Sequence, residues 1–194
     1  MWLVIGSGQK GLDWAKEQKG QTVVCLDSNP LLSGEYVVGD ILTEDLQLMS
    51  IRRIYADFLL NAVFPGGVSM AEVIEWPDIL STSLFPAGVQ DWYKRGRAEI
   101  RWNVTAYLED LRWKVREEAL GRMWRALKQG GEIVVVDRKE IVSWAGEKLR
   151  SWGGKVAVGE VDEDDYRRSV AKSMELDRKG QFLGMVGKLV VSKV

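Results

Sequence analysis

The stretch Trp2-Leu3-Val4-Ile5-Gly6-Ser7-Gly8-Gln9-Lys10-Gly11 decides the fold. Residues 2–5 form a short apolar run that is typical of a buried strand, and residues 6–11 fit the pattern G-x-G-x-x-G. We predict a helix over residues 12–19. Glycines between a strand and a helix allow a tight turn and a close approach to the backbone, and the start of a helix carries a partial positive charge. The stretch therefore predicts a ligand-binding turn, although a turn that only packs against the helix gives the same pattern.

Short β-rich runs alternate with helical stretches along the rest of the chain. This alternation is typical of an α/β sandwich with a mostly parallel sheet. Further strands are predicted at residues 22–26, 36–38, 51–56, 132–136, 155–158 and 188–194, and further helices at residues 43–49, 98–128, 139–151 and 162–177. We interpret residues 1–194 as one domain with an ordered insertion at about 64–97. That segment holds three of the four prolines but is too apolar for a linker.

The composition excludes several classes of function. The 194 residues include 27 Lys+Arg, 28 Asp+Glu, one cysteine and no histidine, so Ser-His, Cys-His and His-metal sites are ruled out. A net charge of -1 gives no overall field for a nucleic-acid backbone, which makes nucleic acid a disfavoured partner. A single cysteine indicates a reducing compartment, and no apolar run approaches the ~20 residues of a membrane span. We therefore expect a cytoplasmic protein without a membrane partner.

An acidic run at residues 160–165 is the one cluster that resembles a metal site. We interpret it as the N-terminal cap of the following helix, because carboxylates are favourable at the positive end of a helix. No other metal-ligand spacing occurs, and we predict no structural metal.

Asp27, Asp40 and Asp57 each follow one of the predicted strands. The carboxyl ends of parallel strands meet at one edge of a sheet, and ligands bind there. Asp27 lies 19 residues after Gly8, at the position that faces the ribose in nucleotide-binding α/β units. A solvated strand end or a turn cap is the alternative for Asp27. Both NAD and S-adenosylmethionine are held at such an edge.

Four segments resemble the class I S-adenosylmethionine-dependent methyltransferases. They are Leu3-Val4-Ile5-Gly6-Ser7-Gly8, Val24-Cys25-Leu26-Asp27, Gly39-Asp40-Ile41 and residues 127–135, which place Gly130-Gly131 before a β-rich run. The resemblance implies a three-layer sandwich with a seven-stranded, mostly parallel sheet whose last strand is antiparallel. It also implies S-adenosylmethionine as the cofactor and methyl transfer as the activity.

The resemblance assigns cofactor contacts to the first two segments. Gly6, Ser7 and Gly8 would line the methionine part of the cofactor. Asp27 would hold the ribose hydroxyls, and Asn29 just beyond it would add a polar contact.

The remaining contacts fall on the third and fourth strands. Asp40 would accept a hydrogen bond from the adenine amino group, with Ile41 packed on the ring. Asp57 and Phe58 occupy the place where the family often positions residues that face the methyl group. Asp57 is our candidate catalytic base, and a cofactor contact or a structural role is its alternative.

Two departures from the family keep other functions open. Val4 stands where many members have an acidic residue that helps hold the methionine amino group, and Lys10 stands where many have glycine. The spacing G-x-G-x-x-G is the one that NAD proteins favour, so an NAD(P)-binding oxidoreductase is one alternative. The absence of a Tyr-x-x-x-Lys match weakens it. A non-catalytic methyltransferase-like domain that acts as a subunit or scaffold is the other alternative.

Aromatic residues suggest a substrate and a partner. The insertion leaves the sheet after the fourth predicted strand, so Phe64, Trp76, Trp92 and Tyr93 are candidates for an apolar pocket that takes a small-molecule substrate. A small satellite core is their alternative.

The tryptophans Trp102, Trp113 and Trp124 recur every 11 residues and share one face of the long predicted helix. A helix packed on a sheet needs one apolar face only, so this second face must be covered by the insertion or by a second copy in a homodimer.

Overall fold

The computed structural model describes residues 1–46, 50–62, 98–169 and 171–194, with side chains for all of these except residues 62 and 98–111. The chain forms two compact units. One consists of Met1–Asn61 with Ala119–Val194, and the other of Ala62–Glu118. The single domain over 1–194 with its insertion stays a prediction, because residues 63–97 lie outside the described part.

The first unit is built on a seven-stranded sheet with the order β3-β2-β1-β4-β5-β7-β6. The strands are β1 (Trp2–Ile5), β2 (Val23–Asp27), β3 (Val37–Val38), β4 (Ile51–Asp57), β5 (Leu127–Arg138), β6 (Gly154–Gly159) and β7 (Val186–Lys193). The pairs from β3 to β5 are parallel, and β7 runs antiparallel to both β5 and β6. This arrangement confirms the predicted fold class, including the antiparallel last strand.

Helices cover both faces of the sheet. The described helices are α1 (Gly8–Glu17), α2 (Leu59–Ala62), α3 (Ala98–Ala126), α4 (Lys139–Ser151), α5 (Glu163–Arg168) and α6 (Lys172–Arg178), of which α3 belongs to the first unit only from Ala119 onward. Alternate residues of β5 point to opposite faces. Val134 and Val136 pack in one cluster with Trp14 of α1 and Met174 of α6. Leu189, which pairs with Val135, lies beneath Gly146 of α4 on the other face. The result is the predicted three-layer sandwich.

The carboxyl ends of β1, β2, β3 and β4 lie side by side, as expected for parallel neighbours. Asp27 and Asp57 end β2 and β4, and the glycine turn follows β1. We call this edge of the sheet the rim. Along the rim, the glycine turn lies between Asp27 and Asp57.

Several boundaries differ from the prediction, among them those of β5, which begins at Leu127 and ends at Arg138. Helix α1 begins at Gly8, so that Gly11 lies inside the helix and not in the turn. The helix predicted at 162–177 is two helices, because the backbone is extended at Ser169 and Ala171. Residues 43–44, predicted to start a helix, form a turn, and residues 47–49 lie outside the described part.

The acidic run caps α5 as predicted. Asp162 is the N-cap residue, and its carboxylate accepts a hydrogen bond from the backbone N–H of Asp165. The carboxylate of Asp165 in turn accepts a hydrogen bond from the backbone N–H of Asp162. Across the described residues, no helix combines the length and the apolarity that a bilayer crossing requires.

Candidate functional site

The glycine turn and the first part of α1 have a geometry that requires glycine at positions 6, 8 and 11. Gly6 and Gly8 have φ values of +68° and +56°, a region that side chains other than glycine rarely adopt. Gly11 serves close packing: a Cβ added to it would lie 2.3 Å from the Cβ of Ser7. The first two glycines therefore shape the turn, and the third lets α1 approach it.

Asp27 joins the end of β2 to the glycine turn. Its Oδ2 accepts a hydrogen bond from the backbone N–H of Gly8 at 3.0 Å, and its Oδ1 accepts one from that of Asn29 at 2.9 Å. The side chain is half-buried, and each oxygen keeps further lone pairs for a ligand. The sequence placed Gly8, Asp27 and Asn29 together, and the structure brings them together.

An arginine that the sequence did not predict as a site residue holds the loop after β3 through hydrogen bonds. Asp40 accepts a hydrogen bond from the backbone N–H of Leu42 at 2.9 Å, and Ile41 is buried. Arg122 of α3 donates to the carbonyl oxygens of Ile41 at 2.7 Å and of Glu44 at 2.6 Å. No local pattern signals this role, because Arg122 lies about 80 residues beyond the loop in the chain.

Asp57 is enclosed and fully engaged. The residue is 3% exposed, and its Oδ2 accepts hydrogen bonds from the hydroxyl of Ser7 at 3.2 Å and from Nε of Arg168 at 2.6 Å. Its Oδ1 accepts one from Nη2 of Arg168 at 3.0 Å. Burial raises the pKa of Asp57, although the charge of Arg168 opposes that effect. The geometry favours a positioning role over proton transfer to a substrate, and the hypothesis of a catalytic base stays a prediction.

Arg168 is the second functional residue that the sequence did not reveal. It is 1% exposed, and Nη2 also donates to Asp165 at 2.7 Å. Its guanidinium lies 4.2 Å from the ring centre of Tyr55 and 5.1 Å from that of Trp14. Burial alone would lower the pKa of Arg168, but the two carboxylates outweigh it and raise that pKa above its usual range.

Two other predicted positions belong to the core. Val4 is buried with Tyr55 and Trp14 in the cluster on the α1 face. Phe58 is buried, has a φ of +54°, and donates its N–H to the carbonyl of Val136 at 2.7 Å. A positive φ is uncommon for a bulky residue, so the chain turns sharply where it leaves β4.

Only some of the aromatic residues with a predicted role lie in the described part of the chain. Phe64, Trp76, Trp92 and Tyr93 lie outside it, as does the side chain of Trp102. Trp113 and Trp124 are half-buried. Lys193 lies 5.3 Å from the ring centre of Trp124, so this ring has a partner within its own chain.

Comparison with known proteins separates sequence from fold. No family pattern and no curated protein matches the chain in sequence. Solved structures do match. A TehB-like SAM-dependent methyltransferase from Corynebacterium glutamicum has a TM-score of 0.50 at 14% identity, over 100% of this chain and 79% of that one. A SAM-dependent methyltransferase from Archaeoglobus fulgidus has a TM-score of 0.50 at 14% identity, over 100% and 85%.

A third match comes from Haloferax volcanii. It is a complex between the Trm112 methyltransferase activator and a methyltransferase, with a TM-score of 0.51 at 10% identity over 99% of this chain and 82% of that one. The chain has the class I methyltransferase fold.

The strand order distinguishes the methyltransferase fold from the dinucleotide-binding fold, which the glycine spacing alone did not. In a dinucleotide-binding fold the sheet has the order 3-2-1-4-5-6 with parallel strands. Here β7 is inserted antiparallel between β5 and β6. The G-x-G-x-x-G spacing therefore occurs on a methyltransferase sheet and not on the dinucleotide sheet that it resembles.

Proposed function

We propose that the chain binds S-adenosylmethionine on the rim and transfers its methyl group to a small-molecule acceptor. The observation that carries the proposal is the pair of hydrogen bonds at Asp27. They tie a half-buried carboxylate to the backbone N–H groups of Gly8 and Asn29 in a methyltransferase fold. A carboxylate so fixed presents its remaining lone pairs to the two hydroxyls of a ribose.

The described residues fit the adenosyl half of this cofactor. Gly6 and Gly8 have no side chains to obstruct the ligand, and Asp27 is the ribose acceptor. Asp40 and Ile41 would meet the adenine. Asn29 stands beside Asp27 through the hydrogen bond of its N–H.

The methionine half is recognised differently from the family pattern. Val4 lies in the apolar core, and Asp57 is already paired with Arg168. We propose that Ser7 and the start of α1 receive this half. The partial positive charge of a helix N-terminus favours a carboxylate there.

The cofactor supplies an electrophilic methyl group. The protein's task is then to hold acceptor and cofactor in line and to exclude water, which needs no histidine. Phe58 is buried next to Asp57 and is proposed to lie beneath the methyl group, and Phe64, Trp76, Trp92 and Tyr93 are proposed to form the acceptor wall.

One observation favours a non-catalytic methyltransferase-like domain as the second candidate. Asp57, the nearest carboxylate to the expected reaction centre, has both oxygens bound by Arg168. A chain that only binds the cofactor has no need of a free base. The NAD(P) oxidoreductase reading has the glycine spacing in its favour, and the sheet order stands against it.

Partners and compartment complete the proposal. We propose a cytoplasmic protein organised as one domain, with Trp102, Trp113 and Trp124 as the face of a homodimer. The Haloferax volcanii relative in fold binds an activator protein, so a protein subunit is an alternative occupant of that face. Sedimentation equilibrium of wild type and of Trp113→Glu tests it. A dimer that the substitution dissociates supports the assignment, and a monomeric wild type contradicts it.

Titration calorimetry tests the function. We expect micromolar binding of S-adenosylmethionine and S-adenosylhomocysteine, no binding of NAD or NADP, and loss of binding in Asp27→Ala. Asp13→Ala is the matched control, because Asp13 is an exposed aspartate of α1 whose charge is neutralised by Lys16 at 2.9 Å. Binding of a nicotinamide cofactor alone would reverse the assignment. Binding without methyl transfer to any member of an acceptor panel would favour the non-catalytic domain.

A further inference from the structure

Gln9, the second residue of α1, holds the loop between β2 and β3. This loop comprises residues 28–36 and begins directly after Asp27. The side-chain amide of Gln9 makes two hydrogen bonds with the backbone of Ser33. Its Oε1 accepts from the N–H at 2.8 Å, and its Nε2 donates to the carbonyl oxygen at 3.0 Å. One side chain of α1 therefore satisfies both backbone polar groups of a loop residue and joins the loop to the helix.

Tyr36 closes the loop on itself. Its hydroxyl donates to the carbonyl oxygen of Asn29 at 2.8 Å and accepts from the N–H of Leu32 at 3.2 Å. The side chains of Tyr36 and Leu32 pack against the core cluster on the α1 face of the sheet. A compact loop whose ends are tied together moves as a unit. A release at Ser33 is therefore transmitted to Asn29.

The loop meets the candidate ligand site at Asn29 and Leu31. The N–H of Asn29 donates to Oδ1 of Asp27 at 2.9 Å, and this is one of the two hydrogen bonds that orient the Asp27 carboxylate. Oδ1 of Asn29 accepts from the N–H of Leu31 at 3.0 Å. Leu31 is thereby fixed four residues beyond Asp27, and it is 88% exposed. Binding sites for small molecules combine a few fixed polar groups with apolar side chains, and Leu31 offers that apolar surface beside Asp27.

We propose that Gln9 is a positioning residue of the ligand site and that Leu31 is a contact residue. By holding Ser33, Gln9 keeps Asn29 against the Asp27 carboxylate and keeps Leu31 against the nucleoside of the bound cofactor or its product. The identity of the ligand rests on the proposed function, and the hold of Gln9 on the loop does not.

Amide hydrogen exchange tests this hold without any ligand. In Gln9→Ala we expect the amide of Ser33 to exchange about fivefold faster, as the loss of one hydrogen bond predicts. The amide of Asn29 should also exchange faster, because the loop no longer keeps it in place. Gln18→Ala is the matched control, since the Gln18 amide donates to the carbonyl oxygen of Trp14 at the other end of α1. Unchanged exchange at Asn29 in Gln9→Ala overturns the positioning role.

Gln9→Glu separates hydrogen bonding from packing. When ionised, the introduced carboxyl group accepts from the N–H of Ser33 but has no donor for the carbonyl oxygen. When protonated, it accepts and donates like the amide that it replaces. In calorimetry at pH 7.5 we expect the affinity for S-adenosylhomocysteine to be about fivefold below that of wild type. At pH 5 it should approach wild type, whereas Gln9→Ala should stay weak at both pH values.

The surroundings of position 9 favour this recovery. The carbonyl oxygen of Ser33 and the carboxylate of Asp13, which accepts from the Gln9 amide at 3.1 Å, both raise the pKa of the introduced carboxyl group. Wild type at the same two pH values corrects for the other titratable groups of α1, the end of β2 and the loop, which are Lys10, Asp13, Lys16, Glu17, Asp27, Glu35 and Tyr36. A loss in Gln9→Glu that is equal at both pH values overturns the proposal.

Leu31→Ala tests the contact. We expect it to weaken the affinity for S-adenosylhomocysteine about fivefold, because part of the apolar surface that the ligand would cover is removed. Leu183→Ala is the matched control, since Leu183 is 83% exposed but precedes β7, and it should leave the affinity unchanged. An unchanged affinity in Leu31→Ala overturns the contact. If wild type binds no S-adenosylhomocysteine, the proposed function fails, and exchange at Asn29 still decides the role of Gln9.

Discussion

Replacing Gly11 by alanine is the sharpest test of the glycine turn. The added Cβ would lie 2.3 Å from the Cβ of Ser7, about 1.2 Å short of the ~3.5 Å at which carbon atoms touch. The Cβ of Ser7 is bonded to the backbone, so no rotamer change relieves the contact and the turn itself must move. Overpacking of this kind costs about 1–3 kcal/mol, while alanine gains about 0.5–1 kcal/mol over glycine within a helix.

We therefore expect Gly11→Ala to be destabilised by about 1–2 kcal/mol, a fall in Tm of about 2–8 °C for a chain of this size. Thermal unfolding followed by circular dichroism measures it. Gly146→Ala is the matched control, because Gly146 is also helical but its added Cβ would meet Leu189 at 3.5 Å, an ordinary contact. That control should gain about 0.5–1 kcal/mol from helix propensity. A Tm of Gly11→Ala at or above that of wild type would refute the argument from close packing.

Three further results are expected. Arg122→Ala should weaken the binding of S-adenosylhomocysteine severalfold in calorimetry, because the loop with Asp40 and Ile41 loses two hydrogen bonds; Arg125→Ala, which alters an exposed neighbour, should leave it unchanged. In Asp162→Asn the loss of Tm between pH 7 and pH 3 should be smaller than in wild type. Burial raises the pKa of Asp162, but hydrogen bonds from Lys188 and Asp165 lower that pKa below 3.8 overall. The ionised carboxylate of Asp162 therefore stabilises the fold at neutral pH, and this stabilisation is lost as the pH falls through the lowered pKa. Parallel curves would contradict this. Burial, with a smaller contribution from the charge of Asp27, raises the pKa of Cys25 to about 11. A thiol reagent at pH 8 should therefore label the folded chain about 10²-fold more slowly than the chain in urea. Equal labelling rates would count against the raised pKa.

The sequence predicted the parts of this fold that depend on local pattern. The run 2–5 matches β1 at both ends, and residues 139–151 match α4. The proximity of Asp27 to the glycine turn was predicted, since neighbouring parallel strands end at the same edge, but the hydrogen bond from Gly8 to Asp27 was not. Helix α1 was predicted four residues late, because glycine has low helix propensity and the prediction assigned Gly8 and Gly11 to the turn.

Ion pairs between residues that are far apart in the chain could not be predicted from the sequence. Arg168 sits in a run of charged residues that reads as a solvated helix face, and its burial becomes visible only when α5 packs on α1. The hydrogen bond from Trp14 to Asp164 at 2.7 Å belongs to the same contact. Asp57 was predicted at the rim because it ends a parallel strand, and the structure places it there. Nothing near it in the chain indicates a partner 111 residues away.

The place of β7 in the sheet constrains the order in which the chain can assemble during synthesis. Among the described strands, β6 pairs with β7 alone, and β7 follows it in the chain at Val186–Lys193. A nascent chain that has just left the ribosome as far as α4 can pair β1 to β5, but its Asp57 has no cation yet and its β6 has no neighbour. Completion of the sheet and neutralisation of that carboxylate both wait until Arg168 and β7 have been synthesised, so the rim acquires its final shape only after these later elements have emerged.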